Sequence, residues 1–153
     1  MEALEKITSA IGKKLEGCKP SLDRDDNLWD AAVLLPLVNT PQGVSVLFEV
    51  RAAKLGWQPG DVCFPGGRAE CSDESFEATA VRETCEELGL ESSSIKIAGG
   101  LNYLVTHMGP VIHPYVGYIE HSGQFNFNKD EVDEVFTAVS YTHLRAHETR
   151  SNL

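Results

Sequence analysis

Apolar residues recur every three or four positions near the start of the chain, which is the spacing of an amphipathic helix. The stretch from Ala3 to Leu15 carries this pattern, with lysines and glutamates between the apolar positions. It therefore predicts a lead-in helix whose apolar stripe packs against the rest of the protein. The members of the stripe are Leu4, Ile7, Ile11 and Leu15.

Two apolar runs separated by a turn signal follow a polar linker. The runs are Ala31–Val38 and Val44–Val50, and the five residues between them include Asn, Pro and Gly. This order predicts a strand, turn, strand hairpin. After a further loop, Val62–Phe64 predicts a short strand, which the Pro-Gly-Gly sequence that follows it brings to an end.

A second helix is predicted over Ser75–Leu88. Glu74 and Glu77 are favourable at its positive end, and Gly89 provides a stop. Beyond it, runs rich in β-branched and aromatic residues predict more strands, of which the last is expected to be broken by Pro114. These strands are Ile95–Ile97, Leu101–Val105 and Val111–Ile119.

Three carboxylates share one face of this second helix. Glu83, Glu86 and Glu87 stand at i, i+3 and i+4, directly after a glycine-rich turn. Like charges at these spacings cost a helix about 0.2–0.5 kcal/mol per pair, and Arg82 alone cannot neutralise three of them. The pattern therefore predicts a divalent cation, for which Mg²⁺ fits best because it takes oxygen ligands and shares its shell with phosphates, with Mn²⁺ as the alternative.

An isolated acidic run is usually a solvated helix face, but the surroundings of this one resemble the signature of the Nudix hydrolases. Glu74 stands eight residues before Arg82, as in that signature, although it lies one residue further from Gly67 than is usual. The matching positions are Gly66-Gly67, Glu74, Arg82-Glu83, Glu86-Glu87 and Gly89. The resemblance covers roughly residues 31–137.

This resemblance implies a fold and a set of functional residues. Nudix domains are α/β/α sandwiches with a mixed sheet, the signature helix on one side and a C-terminal helix on the other. By analogy, the metal ligands are Glu83, Glu86 and Glu87, and the Gly66-Gly67 backbone shapes the site. The catalytic set is Glu83, Glu87, Arg82 and Glu74, in which Arg82 orients the carboxylates through Glu74. The general base is left open between Glu83, acting through a water, and a carboxylate of Asp130–Glu134.

The segment before the signature resembles the coenzyme A diphosphatase branch of the family. Its matching residues are Arg51-Ala52-Ala53, Gly60 and Phe64-Pro65-Gly66-Gly67, but the loop is about one residue short and Trp57 stands near a position that is often basic. If the resemblance holds, Arg51, Lys54 or both bind the 3′-phosphate of coenzyme A. The alternative is that Arg51 is a surface cation at the end of a strand.

Composition agrees with a small soluble enzyme. The 153 residues are 42% hydrophobic, which is enough for one domain. A net charge of −10 argues against a nucleic-acid partner, because such proteins usually carry a basic patch. The four cysteines form no CxxC pair, and the N-terminus lacks a leader-like apolar core, so we expect free thiols, a cytoplasmic location and no membrane partner.

Three functions remain open. The first is metal-dependent hydrolysis of coenzyme A to 3′,5′-ADP and 4′-phosphopantetheine, and the second is hydrolysis of another nucleoside diphosphate derivative such as ADP-ribose. The third is a non-catalytic nucleotide-binding module, against which the intact carboxylates argue. In each case the partner is a small nucleotide, and the oligomeric state is open, with a homodimer as one alternative.

The end of the chain departs from the pattern. Residues up to 137 indicate the acidic approach to one more strand, whereas residues 139–149, VSYTHLRAHET, resemble translated adapter DNA from transposase-based sequencing libraries. We therefore expect the natural sequence to stop near residue 138, with the last strand and helix missing, and we discount His143 and His147 as a metal site. The expected divisions are a helix and linker over 1–29, a truncated Nudix domain over 30–138 and a non-native tail over 139–153.

Overall fold

The computed structural model describes residues 2–15, 28–106, 109–121 and 123–139. Beside a short 3₁₀-helix at Ser92–Ser94, these ranges contain two α-helices and eight strands. In chain order they are α1 (Glu2–Leu15), β1 (Trp29–Thr40), β2 (Gly43–Arg51), β3 (Val62–Cys63), β4 (Gly66–Arg68), α2 (Phe76–Leu88), β5 (Ile95–Gly100), β6 (Leu104–Val105), β7 (Pro110–Ile119) and β8 (Val132–Val139). Neither helix has the length and apolar character needed to cross a membrane.

The strands form one mixed sheet, as the family resemblance implies. Its main path runs β3-β2-β1-β7-β5, while β4 pairs with β1, β6 with β7 and β8 with β2. Strands β1 and β7 are parallel, and the other pairs are antiparallel. The predicted hairpin is confirmed, because β1 and β2 are antiparallel neighbours and Thr40 pairs with Gly43 at the turn.

Alternation along β1 sends apolar side chains to both faces of the sheet, so each face needs a cover. On one face, Leu34 packs in a cluster with Ala80 and Leu88 of α2. On the other, Leu37 packs with Leu4 of α1, which confirms the lead-in helix. The predicted stripe is wrong at Ile7, which is exposed, while the neighbouring Thr8 is buried. This second face is the one for which the sequence predicted a missing helix, and α1 covers part of it.

Helix α2 confirms the predicted signature helix and both of its ends. Ser75 is the N-cap, and its side chain accepts from the Ala78 N–H at 3.1 Å. Gly89 ends the helix in the left-handed conformation, with φ of 67°, which glycine adopts without strain. The carboxylates of the signature are therefore carried by a helix with well-defined limits.

Strand β7 differs from the prediction because Pro114 does not interrupt it. The Pro114 carbonyl accepts from the Leu101 N–H at 2.8 Å, so the proline nitrogen faces the same neighbouring side. On that side β5 pairs with residues 115–119 and β6 with residues 111–112, which leaves position 114 in the interval between them. The missing N–H of proline therefore costs no ladder hydrogen bond there.

The segment that the sequence indicated to be only the approach to a strand is itself a strand, β8. Its backbone pairs with β2, and Val139, which we assigned to the tail, lies opposite Ser45. Sequence patterning missed it because Val132 is its one fully buried residue and half of its side chains are exposed. The remainder of the predicted tail, including His143 and His147, lies outside the described residues.

The pairing of β4 with β1 predicts a stability defect for Gly66→Ala. Gly66 has φ of 154°, and a Cβ there would lie 2.3 Å from the Ala32 carbonyl oxygen and 2.6 Å from the Val33 Cα. Backbone atoms cannot yield as a flexible side chain can, so we expect the variant to lose about 2–4 kcal/mol of stability. Thermal denaturation should show a melting temperature lower by roughly 5–15 °C.

Gly56→Ala is the matched control, because an added Cβ at Gly56 meets no described heavy atom within 4 Å. Its melting temperature should stay within about 2 °C of the parent. A Gly66→Ala protein that melts with the control would contradict the close approach of β4 to β1.

Candidate active site

The glycine turn meets the carboxylates of α2 in one place. The Gly66 N–H donates to Glu87 Oε2 at 2.8 Å. A Cβ at Gly67 would lie 2.5 Å from the Glu83 carboxylate, so the glycine leaves room for that side chain in its present position. The structure therefore brings together four of the residues predicted for the site.

The three predicted metal ligands differ in exposure. Glu87 is buried, the Glu83 side chain is 16% exposed and the Glu86 side chain is 57% exposed. Arg82 Nη1 donates to Glu83 at 2.9 Å and lies 3.5 Å from Glu86. As the side chains stand, no three His, Cys, Asp or Glu residues in the described ranges lie close enough together to hold a metal ion.

Arg82 is oriented by Asp73, and the predicted role of Glu74 is wrong. Arg82 Nε and Nη2 donate to the two carboxylate oxygens of Asp73 at 2.9 and 3.0 Å, and these bonds hold the pKa of Asp73 well below its usual range. The Thr79 hydroxyl also donates to Asp73, at 2.9 Å, whereas Glu74 is exposed. If Asp73 takes the place of the first acidic residue of the signature, its spacing from Gly67 is the usual one. The one extra residue then lies between Asp73 and Arg82.

A further carboxylate, Glu49 of β2, is buried in this region and was missed by the sequence analysis. Its Oε1 accepts from the Cys63 thiol at 3.4 Å, and its Oε2 is buried without a hydrogen-bond partner in the described part of the chain. A signal was present, because Ser45, Leu47 and Glu49 share the inward face of β2. Acidic residues are rarely buried without a partner, so a glutamate at a core position of a strand indicates a functional or paired carboxylate.

Burial raises the pKa values of these carboxyl groups. It is the main cause for Glu87, whose pKa rises to about 9, and the negative charge of Glu49 adds to the shift. Burial likewise raises the pKa of Glu49 to about 7. The pKa of Glu83 is raised by burial as well, although Arg82 opposes this shift. The carboxyl groups of Glu49, Glu83 and Glu87 therefore lack enough neighbouring positive charge to keep them all ionised.

This set of donors suits a divalent cation. Carboxylate oxygens are the ligands that Mg²⁺ and Mn²⁺ prefer, and Glu83 and Glu87 provide them at the glycine turn, with the unpartnered oxygen of Glu49 near Glu87. A cation would stabilise the ionised carboxylates and satisfy that oxygen. The chemistry of these donors therefore suits the predicted metal, with Glu86 at the exposed edge.

The loop before β8 contributes another acidic residue. The Asn128 N–H donates to the Glu87 carbonyl at 2.8 Å, which anchors this loop to the last turn of α2. Glu131 then lies close enough to raise the pKa values of both Glu83 and Glu87. Among the late-loop carboxylates considered as general bases, Glu131 is thus placed towards the site.

A cleft of about 380 Å³ opens beside the glycine turn. Arg51, one of the two predicted phosphate-binding residues, lines this cleft, and its Nε donates to the Trp57 carbonyl at 3.2 Å. Lys54, the other, is not among the lining residues and forms an exposed salt bridge with Asp130. Of the two predicted phosphate-binding residues, Arg51 lies at the cleft and Lys54 does not.

The pKa shifts predict how stability depends on pH when chelator removes divalent ions. Folded Glu49 and Glu87 keep their protons up to pH values of about 7 and 9, whereas the ordinary pKa of a glutamate is 4.5. Their stabilising contribution is complete below that ordinary value and is lost as pH rises through the folded values. Glu49→Gln cannot ionise, so its melting temperature should exceed that of the parent by several degrees at about pH 8 and match it at about pH 4.

Glu134→Gln on the exposed side of β8 is the control, and should melt with the parent at both pH values. An equal shift of the Glu49→Gln protein at both pH values would mean that packing, and not ionisation, is the cause.

The contacts of Arg82 predict different outcomes for two neighbouring acids. Asp73→Ala removes its hydrogen bonds to Arg82 and Thr79, and should lower the melting temperature by roughly 5–10 °C. Glu74→Ala removes an exposed side chain and should change it by less than about 2 °C. Comparable losses in the two variants, measured side by side by thermal denaturation, would contradict the assignment of Asp73.

Known proteins resemble this chain over most of its length. A family model described as the NUDIX domain matches residues 28–152. The peroxisomal coenzyme A diphosphatase NUDT7 of Mus musculus is 39% identical over 105 residues, which cover 69% of this chain and 44% of that protein. Nudix hydrolase 3 of Caenorhabditis elegans is 39% identical over 123 residues, covering 77% of this chain and 51% of that protein. The chain thus spans about half the length of these relatives.

The fold is also found among solved structures. A Nudix hydrolase from M. smegmatis, RenU, aligns with a TM-score of 0.60 at 21% identity, covering 82% of this chain and 91% of that one. At this identity the likeness supports the fold, while the family model and the curated relatives support the family. This chain therefore belongs to the Nudix family.

Proposed function

We propose that this protein hydrolyses the pyrophosphate bond of coenzyme A or a derivative, giving 3′,5′-ADP and 4′-phosphopantetheine. The observation that carries the proposal is that Glu83 and buried Glu87 meet the glycine turn beside a cleft that Arg51 lines. A further buried carboxylate, Glu49, lies near enough to raise the pKa of Glu87. Such a group suits a metal-assisted attack on a phosphate anhydride. The coenzyme A part of the proposal is supported by the name of the mouse relative and by the segment from Arg51 to Gly67.

The cofactor in this proposal is Mg²⁺ or Mn²⁺, held by Glu83 and Glu87 with Glu86 or Glu49. When bound, it supplies positive charge against the phosphate oxygens and makes a water more acidic. Residues around the carboxylates would fix their orientation. Asp73 fixes Arg82, and Arg82 in turn fixes the Glu83 carboxylate by a hydrogen bond of 2.9 Å.

In the reaction, the oxygen of water bonds to one phosphorus, and the bridging oxygen leaves with the other phosphate. The water proton passes to a carboxylate, for which Glu131 is the better candidate, because Glu83 already accepts from Arg82. Glu131 belongs to the anchored late loop and lies within electrostatic range of Glu83 and Glu87. Glu83 remains the alternative base.

One observation favours a second candidate, a hydrolase of another nucleoside diphosphate derivative such as ADP-ribose. The additional 3′-phosphate of coenzyme A needs a basic residue, but Lys54 is paired with Asp130 and Arg51 Nε is bonded to the Trp57 carbonyl. A substrate without that phosphate would not require either side chain. Rates on coenzyme A, its 3′-dephospho form and ADP-ribose separate the two candidates.

We also propose a reducing location such as the cytoplasm for this protein. Cys63, Cys71 and Cys85 carry free thiols, as expected where disulfides are not maintained.

The test of the proposed reaction is a product assay with each substrate, with Mg²⁺ and with excess chelator. We expect coenzyme A to be cleaved only with the metal. Glu83→Gln and Glu87→Gln should each lower the rate by at least about 100-fold, because each removes a charge that the reaction needs and little volume. Their melting temperatures should stay level or rise as repulsion is relieved.

Glu77→Gln is the matched control on the same helix, since its side chain is exposed in the first turn of α2. It should keep nearly full activity. Turnover that resists chelator, or near-normal turnover by Glu87→Gln, would overturn the metal-dependent mechanism.

A further inference from the structure

Both tryptophans of the sequence line the cleft beside the glycine turn. Trp29 is the first residue of β1, and Trp57 lies in the loop between β2 and β3. Gly66 and Gly67 line the same cleft. Two indole surfaces therefore belong to the cavity that adjoins Glu83 and Glu87, although the residues lie far apart in sequence.

The loop that carries Trp57 is fixed by backbone hydrogen bonds. The Arg51 N–H donates to the Asp61 carbonyl at 2.9 Å, and the Gly60 N–H donates to the Arg51 carbonyl at 3.0 Å. The side chain of Arg51 then holds the Trp57 carbonyl. The Trp57 residue is nevertheless 45% exposed, so the loop presents a large aromatic surface that a ligand can cover without rearrangement.

Trp29 is connected to the carboxylate group through Arg68. The Arg68 guanidinium lies 5.2 Å from the centroid of the Trp29 ring, within the range of a cation–π contact. The Arg68 carbonyl accepts from Arg82 Nη2 at 3.2 Å. A basic residue therefore stands between the indole and the residue that orients Glu83.

We propose that Trp29 and Trp57 form an aromatic slot for the adenine ring of the nucleotide substrate, with Arg51 and Arg68 beside its phosphates. The proposal rests on the proposed function, and it names which half of the substrate enters this cleft. Indoles stack on nucleobases, because both are planar π systems. The two arginines complement phosphate, although the chain as a whole has a net charge of −10.

The other half of coenzyme A matches this cleft less well. Pantetheine is flexible and uncharged beyond its phosphate, so it offers neither a ring for the indoles nor further charge for Arg51 and Arg68. The adenosine diphosphate half is shared by coenzyme A and ADP-ribose. The slot therefore serves either candidate substrate and can be tested without knowing which is cleaved.

The experiment uses the intrinsic fluorescence of the full chain, because its two tryptophans both report on this cleft. In Mg²⁺, the reaction product 3′,5′-ADP should quench the emission on titration, whereas 4′-phosphopantetheine and inorganic pyrophosphate should quench it little. Trp57→Leu should weaken 3′,5′-ADP binding by about 10-fold, whereas Trp57→Phe, which keeps a ring, should weaken it by less than about 3-fold. Phe136→Leu, at an exposed aromatic residue outside the cleft, is the matched control and should bind normally.

The kinetic readout separates the slot from the chemistry. With whichever substrate is cleaved, Trp57→Leu should raise KM by about 10-fold and leave kcat close to the parent value. Quenching by 4′-phosphopantetheine in place of 3′,5′-ADP, or unchanged binding by Trp57→Leu with a normal melting temperature, would overturn the slot. If 3′,5′-ADP quenches as expected but coenzyme A is not cleaved, the slot stands and the proposed reaction fails.

Discussion

The site depends on one hydrogen bond, which the Gly66 N–H donates to the buried carboxylate of Glu87. Gly66 belongs to β4, which lies so close to β1 that no side chain fits at this position. Glu87 belongs to the last turn of α2, and its backbone carbonyl holds Asn128 of the late loop. A single residue thus joins the glycine turn, the signature helix and the loop that carries Glu131.

The burial of the Glu49 and Glu87 carboxyl groups opposes the stability of the fold when they ionise. Within the described residues, the buried Glu87 carboxyl group accepts one hydrogen bond, and Glu49 lies near enough to raise its pKa further. Buried acids without matching positive charge destabilise a fold when they ionise. The same oxygens suit a divalent cation, and the binding of one would stabilise the folded state. Removal of such a cation would therefore lower the stability of the fold.

Local signals predicted the parts of the fold that depend on neighbours in sequence. The hairpin of β1 and β2 and the limits of α2 at Ser75 and Gly89 belong to this class, since turn residues and helix caps act over a few positions. Counting along the chain could not decide between Asp73 and Glu74, because only the folded loop shows which carboxylate reaches Arg82. The signature itself correctly indicated Glu83, Glu87 and the glycine turn as neighbours.

Features that depend on pairing across the sheet escaped prediction. Glu49 enters the carboxylate group only when β2 lies beside β3 and α2, and nothing within its own strand specifies that neighbourhood. Pro114 was expected to break a strand, but its position between β5 and β6 removes the penalty. Strand β8 has a weak apolar period, so its side chains bury little surface. It is held in the sheet by its backbone pairing with β2.

The contact between Cys63 and Glu49 also sets the redox chemistry of the cleft. Burial and the adjacent Glu49 raise the pKa of the Cys63 thiol to about 12, so it stays protonated at neutral pH. The thiolate is the form that oxidants and alkylating agents attack. Cys63 lines the cleft three residues before Gly66, and its protonated thiol is expected to react slowly with oxidants and alkylating agents. Oxidants that modify exposed thiols such as Cys71 would therefore leave the lining of the cleft at Cys63 unchanged.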